Sequence, residues 1–201
     1  INTVPGTQTT NEDTDLVVSG ISIVDVDVAA ANMQVTLTVA SGSLGINTAV
    51  TNGVSAAQVA TNNSASVVIT APLSNINTTL ADAAGLAYSP TADSNGSETL
   101  TVLTSDQGNT GAGGALTDTD TVSITMTAVN DAPINTVPGA QTTNEDTDLV
   151  VSGISIVDVD SGASDIQVTL TATAGTLGIN TAVTNGVSAG QVTTNNSASV
   201  V

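Results

Sequence analysis

The sequence predicts an all-β protein built from tandem β-sandwich units, and three observations lead to this prediction. Residues 134–201 restate residues 1–68, with 12 of the 68 aligned positions different. Apolar residues make up 40% of the chain and fall largely in short alternating runs of Val, Ile, Leu and Ala. Pairs of turn-forming residues separate these runs at high density. Self-similarity of this kind is typical of stacked units that each contact mainly their neighbours.

The repeat predicts one complete unit and the first half of another. The complete unit is placed at 1–133, a usual size for one domain, and the second unit at 134–201. The second unit stops before anything equivalent to 86–129, and half a sandwich leaves strand edges and one core face open. Two explanations remain open. Either the missing half lies beyond this fragment, or a neighbouring chain supplies it.

Alternation of apolar and polar side chains predicts the main strands of the first unit. It is strict over 35–39 and 122–126, and looser over 100–104. Shorter strands are predicted at 16–19, 21–24, 44–46, 66–70 and 86–88, with turns at Ser41-Gly42, Asn52-Gly53 and Asn95-Gly96. Many short strands with frequent turns indicate a sandwich.

One segment departs from the strand pattern. Leu73, Ile76 and Leu80 are spaced at i, i+3 and i+7, which favours one or two helical turns over 73–80. Asn and Thr fill the positions between them and weaken this prediction, so a short helix and a non-helical crossing both remain open.

Charge excludes several kinds of partner. The chain has 18 acidic residues and no Lys, Arg or His, for a formal net charge of −18. Such a chain repels nucleic acid phosphates and anionic lipid surfaces, so we expect neither as a partner. No run approaches the roughly 20 apolar residues needed to cross a bilayer, so membrane insertion is not expected either. It also has no Cys, so no disulfide supports the units. Tyr88 is the only aromatic residue, which predicts a thin core of small aliphatic side chains.

The carboxylates gather in short motifs that suggest a divalent cation. In an extended segment, Asp158 and Asp160 project to the same side a few Å apart, and no cationic side chain exists to offset their repulsion. Ca²⁺ takes six to eight oxygen ligands and suits such groups. Solvated loops with ordinary counter-ions are the alternative. The motifs are Asn11–Asp15, Asp25-Val26-Asp27, Asp118-Thr119-Asp120, Asn130–Pro133 and, in the second copy, Asn144–Asp148 and Asp158-Val159-Asp160.

The order of these motifs resembles that of cadherins along the whole chain. Asn130-Asp131-Ala132-Pro133 is similar to a shortened cadherin linker, Asn-Asp-Asn-Ala-Pro. Glu12 lies about as far into its unit as the cadherin glutamate that ends the first strand. Asp158-Val159-Asp160-Ser161-Gly162 resembles the cadherin Asp-x-Asp-Ser-Gly turn, and Ser105–Gly108 follows a strand as the Ala-x-Asp-x-Gly loop does. The likeness is closer still to the bacterial cadherin-like repeats of giant secreted adhesins.

The resemblance implies Greek-key, Ig-like sandwiches that bind Ca²⁺ where one unit meets the next. The ligands it implies at the junction are Glu12 with Asp93 or Glu98 from the first unit, Asn130 and Asp131 from the linker, and Asp158, Asp160 and Asp165 from the second unit. At the opposite end of the first unit it implies Asp106 together with Asp25, Asp27 and Asn32.

Two departures from the cadherin pattern qualify this ligand set, and two acidic residues fall outside it. The linker lacks the second Asn of the cadherin motif, so fewer ions are expected at each junction. The cadherin Asp-Arg-Glu motif is absent, which weakens the assignment of Asp93 and Glu98. Asp118 and Asp120 have no counterpart in the family and are expected either to face solvent or to form a separate shallow ion site.

The expected function is that of a structural spacer in a long bacterial surface adhesin, located outside the cell and stiffened by Ca²⁺ between units. Its partners would be neighbouring repeats of the same chain or fibre. The alternative is a homo-polymer, an extracellular filament in which a neighbouring chain completes the second repeat. An enzyme is not expected, because the chain lacks His, Cys and Lys and its acidic motifs occur at domain ends rather than in a cleft.

Overall fold

The computed structural model describes residues 1–28, 31–108 and 113–201, which separate into two compact units, Ile1–Asn130 and Asp131–Val201. The boundary falls inside the Asn130–Pro133 motif. Strands dominate the described residues and confirm an all-β protein. Among those residues, no helix has the length and apolar content that crossing a bilayer would need.

The strands of the first unit form two main sheets. The strands are β1 Asn2–Thr3, β2 Gln8–Asn11, β3 Leu16–Val17, β4 Ser22–Ile23, β5 Asn32–Thr38, β6 Ser43–Ile46, β7 Val59–Ala60, β8 Ser66–Pro72, β9 Leu86–Ser89, β10 Gly96–Ser105 and β11 Thr117–Thr127. One sheet has six strands in the order β2-β11-β10-β5-β8-β7, another has three in the order β3-β9-β6, and β1 pairs with β4. The β2–β11 pair is parallel.

The core of the first unit draws on both sheets. In β5, Val35 and Leu37 are buried while Thr36 and Thr38 are half-buried, so the alternation predicted for this strand is confirmed. Strands β10 and β11 bury alternate residues in the same way. Tyr88 of β9 is buried among aliphatic side chains of this single cluster. Two packed sheets make this unit a β-sandwich.

The predicted helical segment is an α-helix, α1, over Leu73–Ala81. Ile76 and Leu80 are fully buried and Leu73 packs partly against the core, as their spacing indicates. Asn77, which weakened the sequence prediction, holds the helix to β4. Its Nδ2 donates to the Ile23 carbonyl and its Oδ1 accepts from the Ile23 N–H, both at 2.8 Å.

The chain enters and leaves the first unit at opposite ends of β11. The Asn2 N–H donates to Asp118 Oδ2 at 2.6 Å, at the start of β11. The Glu12 N–H donates to the Thr127 carbonyl at 3.0 Å, at its end. A strand of this length spans about 30 Å, so the first and last residues of the unit are far apart.

The second unit contains fewer strands over its 71 residues. They are β12 Ile134–Thr136, β13 Ser155–Val157, β14 Leu170–Thr171 and β15 Ser199–Val200. Two separate pairs result, β12 with β13 and β14 with β15, and both are antiparallel. Most of the unit is exposed, although its sequence nearly repeats that of 1–68.

Candidate metal centre

Glu12 is a buried carboxylate at the end of the first unit where β11 finishes. It is 3% exposed. Its Oε1 accepts the Val129 N–H at 2.6 Å, and its Oε2 accepts Asn95 Nδ2 at 3.2 Å. The side chain is therefore held by the fold, and each oxygen keeps a lone pair that a cation could use.

Asp13 and Asp93 form a carboxylate pair at the same end of the unit. Carboxylate oxygens of the two residues lie within 4.8 Å of each other, and both side chains are exposed. The Asp93 N–H donates to Asp13 Oδ1 at 3.0 Å. Both residues have left-handed backbone, with φ of 57° and 56°, which Asp tolerates better than most residues. The structure thus places Asp93 beside a residue that the family resemblance did not assign as a ligand.

Glu98, which the family resemblance gives as the alternative ligand to Asp93, is held in a turn by backbone N–H groups. Its carboxylate accepts the N–H groups of Ser41 at 2.7 Å, Thr99 at 2.7 Å and Ala40 at 3.2 Å. Only 7% of the residue is exposed. The side chain closes the turn that follows β5 and is absent from the groups of clustered carboxylates in the described residues.

At the opposite end of the first unit, Asp25, Asp27, Asp106 and Asp118 line one pocket. The Asp27 N–H donates to Asp25 Oδ1 at 2.8 Å, so the two sequence neighbours share a turn. Within the described part of the chain, no three carboxylates at this end approach one another within 4.8 Å. Asn32, the other residue implied here, is exposed at the start of β5.

Asp106 is tied to its loop by backbone hydrogen bonds. Its Oδ1 accepts the Gly108 N–H at 2.8 Å and the Leu116 N–H at 2.7 Å. These two bonds favour the charged form and lower the pKa of the carboxyl below its ordinary value. Asp106 is consequently a carboxylate at neutral pH.

Asp131 and Asp160 come together within the second unit, and Asp158 holds the turn that carries Asp160. The Asp131 N–H donates to Asp160 Oδ2 at 2.5 Å, and carboxylate oxygens of the two residues lie within 4.8 Å. Asp158 Oδ1 accepts the N–H groups of Asp160 at 2.9 Å and Ser161 at 3.0 Å. Ser161 Oγ donates back to the Asp158 carbonyl at 3.1 Å. The Asp-x-Asp-Ser segment is therefore a closed turn beside the linker.

The remaining residues named from the sequence lie apart from these groups. Asp165 and Asn130 are both exposed, and neither belongs to a cluster of acidic side chains in the described residues. Asp118 anchors β1, because its carboxylate accepts the Asn2 N–H and its carbonyl accepts Asn2 Nδ2 at 3.1 Å. Asp120 is half-buried in β11.

Two carboxylate pairs therefore offer the best metal-ligating geometry, one in each unit: Asp13 with Asp93, and Asp131 with Asp160. Oxygen-only ligands of this kind suit hard cations such as Ca²⁺. Sequence reasoning did not choose Asp13, although it sits inside the Asn11–Asp15 motif. Its partner lies 80 residues away, and no local pattern indicates such a pairing.

No known protein family matches the chain, and neither does any curated protein or any solved structure.

Proposed function

We propose that the chain is a non-catalytic spacer from a long extracellular surface protein, in which Ca²⁺ stiffens the connection between cadherin-like units. Ca²⁺ would neutralise the carboxylates that end one unit and begin the next. Removing it would leave those carboxylates to repel each other, and the connection would bend.

The proposal rests on two pairs of neighbouring carboxylates in a chain that has no cationic side chain. Asp13 with Asp93, and Asp131 with Asp160, each hold carboxylate oxygens within 4.8 Å. Two like charges at that separation cost on the order of 1 kcal/mol even in bulk water. The sequence contains no Lys, Arg or His that could offset this cost, so a bound cation is the natural compensation.

Covalent connection supports a shared site at the linker. Val129 donates its N–H to Glu12, and Asp131 follows two residues later. Two residues of extended chain span about 7 Å. The linker therefore keeps Asp131 close to the acidic end of the first unit whatever direction the second unit takes.

The geometry of the Asp158 turn also favours Ca²⁺ over loosely held counter-ions. The N–H groups of Asp160 and Ser161 donate to one carboxylate oxygen of Asp158. The Asp131 N–H donates to one carboxylate oxygen of Asp160. Ligands fixed in advance lose less conformational entropy when an ion binds. Diffuse counter-ions need no such fixed geometry.

The proposal predicts that Ca²⁺ sets the dimensions of the chain. Small-angle scattering of the 201-residue chain should show a larger maximum dimension in Ca²⁺ than in a chelator. The double variant Asp131→Asn/Asp160→Asn should lose this difference, because amides bind Ca²⁺ more weakly than carboxylates do.

The matched control is Asp15→Asn/Asp148→Asn, which removes the same charge from two exposed positions outside the carboxylate pairs. This control should respond to Ca²⁺ as the unaltered chain does. Identical scattering with Ca²⁺ and with chelator would exclude the stiffening mechanism. Equal responses from the two double variants would exclude the assigned ligands.

A further inference from the structure

The outer side of the six-stranded sheet carries uncharged side chains, most of them Ser or Thr. In β10 and β11, the residues that alternate with the buried ones are exposed or half-buried. Residues directly opposite each other on neighbouring strands share one side of the sheet. The register therefore assigns to this surface the odd-numbered residues of β2, β10 and β11 and the even-numbered residues of β5, β7 and β8. We call this surface the hydroxyl face.

Threonines lie side by side across the middle of the hydroxyl face. Thr101 of β10 is directly opposite Thr38 of β5 on one side and Thr121 of β11 on the other. Leu103 follows on the same face of β10, is opposite Thr36 and is 37% exposed. The centre of the face is therefore an exposed leucine beside the methyl and hydroxyl groups of threonine.

The carboxylates of β10 and β11 lie on the other side of the sheet. Asp118 and Asp120 alternate with the hydroxyl-face residues of β11, so they project away from that face. Asp118 is engaged there by the Asn2 N–H. Glu98 of β10 also points inward and is 7% exposed. The hydroxyl face is thus neutral in a chain whose formal net charge is −18.

We propose that the hydroxyl face is a self-association surface, on which two copies of this chain pack sheet against sheet. Two chains that each carry a net charge of −18 repel each other. Contact through surfaces that bear carboxylates would add close like-charge pairs, which oppose association. Contact through two neutral faces adds no such pair, so the charge distribution selects the hydroxyl face for a second copy.

The size of the hydroxyl face suits a specific but weak dimer. Its strands contribute 4, 11, 10, 7, 7 and 2 residues to the sheet. At about 3.4 Å per residue and about 4.8 Å per strand, they cover about 670 Å². Two such faces bury about 1,300 Å² together, near the lower end of the roughly 1,200–2,000 Å² typical of specific interfaces. Burial of Leu103 and of the threonine methyl groups favours the contact.

The pair would be symmetric because both copies offer the same face. Such an interface has a two-fold axis and closes at the dimer. Two twisted sheets pack face to face with their strands about 30° apart. Thr101 lies in the middle of β10, the third of the six strands, and is therefore close to the axis.

The first test measures association of the full 201-residue chain by sedimentation equilibrium. It should show monomers and dimers with a Kd of about 10 µM to 1 mM. The variant Thr101→Glu/Thr121→Glu should raise this Kd at least about tenfold, because four carboxylates would meet at the centre of the dimer. Monomers alone at about 1 mM unaltered chain, or an unchanged Kd in the variant, would overturn the proposal.

The matched control is Ser19→Glu/Thr51→Glu, which adds the same charge at two exposed positions outside the hydroxyl face. Its Kd should stay within about twofold of that of the unaltered chain. An equal loss of affinity in both double variants would show that total charge, rather than the face, controls association.

A charge exchange separates a lost interface from a lost fold. Thr101→Lys/Thr121→Lys should also dimerise weakly by itself, because like charges again face each other. An equal mixture of the Glu and Lys variants should form mixed dimers at least as tightly as the unaltered chain. A mixture that stays monomeric would overturn the proposal, provided that both variants melt cooperatively.

Self-association does not rest on the spacer role. Dimers should form in chelator and should strengthen as NaCl screens the repulsion between chains. The Ca²⁺-dependent change in dimensions tests the spacer role separately. The other candidate occupant of a neutral hydroxyl-rich surface is a neutral polysaccharide. Binding of dextran by an unaltered chain that stays monomeric would assign the face to carbohydrate and overturn self-association.

Discussion

Tyr88 is the only aromatic residue in the sequence, and its side chain is completely buried. Burial raises the pKa of its hydroxyl, and the negative charge of Glu98 raises it further. Its hydroxyl contacts Met126 Sδ at 3.5 Å, a weak hydrogen bond. The neutral phenol is therefore the form that the folded state favours.

This raised pKa predicts how stability changes at alkaline pH. The contribution of the neutral Tyr88 phenol to stability is fully present below the pKa of this group in the unfolded chain, about 10. It is lost as the pH rises through the higher pKa of Tyr88 in the folded state. Phenolate absorbance of the native chain should therefore rise at higher pH than that of the chain in denaturant. With no other aromatic residue, the signal belongs to Tyr88 alone.

The control for this titration is Tyr88→Phe. It removes the titrating group and one weak contact, so the free energy of unfolding at pH 7 should change by less than about 1 kcal/mol. Its loss of stability at alkaline pH should be smaller than that of the unaltered chain. Coincident phenolate titrations in the native and denatured chains would contradict a raised pKa.

For single carboxylates, the sequence predicts where they cluster but not what each one contacts. Their clustering in motifs is visible in the sequence, and so is the absence of any cationic side chain. Their individual surroundings are not. Glu98 closes a turn through three backbone N–H groups, while Asp13 pairs with a residue 80 positions away. Both arrangements depend on which loops the fold brings together.

Among the elements, α1 shows why polar residues occur in a buried helix. Thr79 is fully buried. Its Oγ1 accepts the Val54 N–H at 2.8 Å and donates to the Asn75 carbonyl at 3.1 Å. Asn75 Nδ2 in turn donates to the carbonyl groups of Asn52 and Gly53, both at 3.0 Å. The helix therefore satisfies backbone groups of the loop between β6 and the short helix at Ala56–Gln58.

We predict that Thr79→Val destabilises the first unit by about 1–3 kcal/mol. The substitution keeps the shape of the side chain but leaves the buried Val54 N–H without its acceptor. Chemical denaturation followed by circular dichroism would measure the change. The neighbouring Thr78→Val is the control, because Thr78 Oγ1 donates to the Ser74 carbonyl on the exposed side of the helix. Equal losses of stability from both variants would show that the buried hydrogen bond to Val54 contributes no more than the exposed one.

Strand β2 shows the limit of pattern reasoning for elements. Its sequence, Gln8–Asn11, contains no apolar residue, and the alternation rule did not predict a strand there. It forms because β11 offers a free edge with which it pairs in parallel. The strands with apolar alternation, β5 and β11, were predicted correctly because each buries one face.

At the scale of the whole molecule, the formal net charge of −18 opposes compaction. No Lys, Arg or His offsets it, so the folded units carry unbalanced repulsion between carboxylates. Salt screens such repulsion over a Debye length of about 10 Å at 0.1 M. The stability of the chain should therefore depend on ionic conditions more than that of a protein with mixed charges.

We predict that the melting temperature rises with NaCl and rises further with CaCl₂ at matched ionic strength. Screening accounts for the first increase. Specific binding to the folded state accounts for the second, since a ligand that binds only the native state stabilises it by mass action. Differential scanning calorimetry of the full chain measures both. MgCl₂ serves as the control for valence, and an identical response to both divalent cations at every concentration would contradict selective Ca²⁺ sites.

The sequence by itself determined the all-β class, the tandem repeat, the main strands and the concentration of negative charge, because periodicity and composition are local properties of the chain. Tertiary structure decided which carboxylates become neighbours, and it decided which side chains the core encloses. Val35 is fully buried because β10, far along the chain, pairs with β5 and its residues share the same core. Burial depends on what a surface meets, and a surface meets its partner only in the folded molecule.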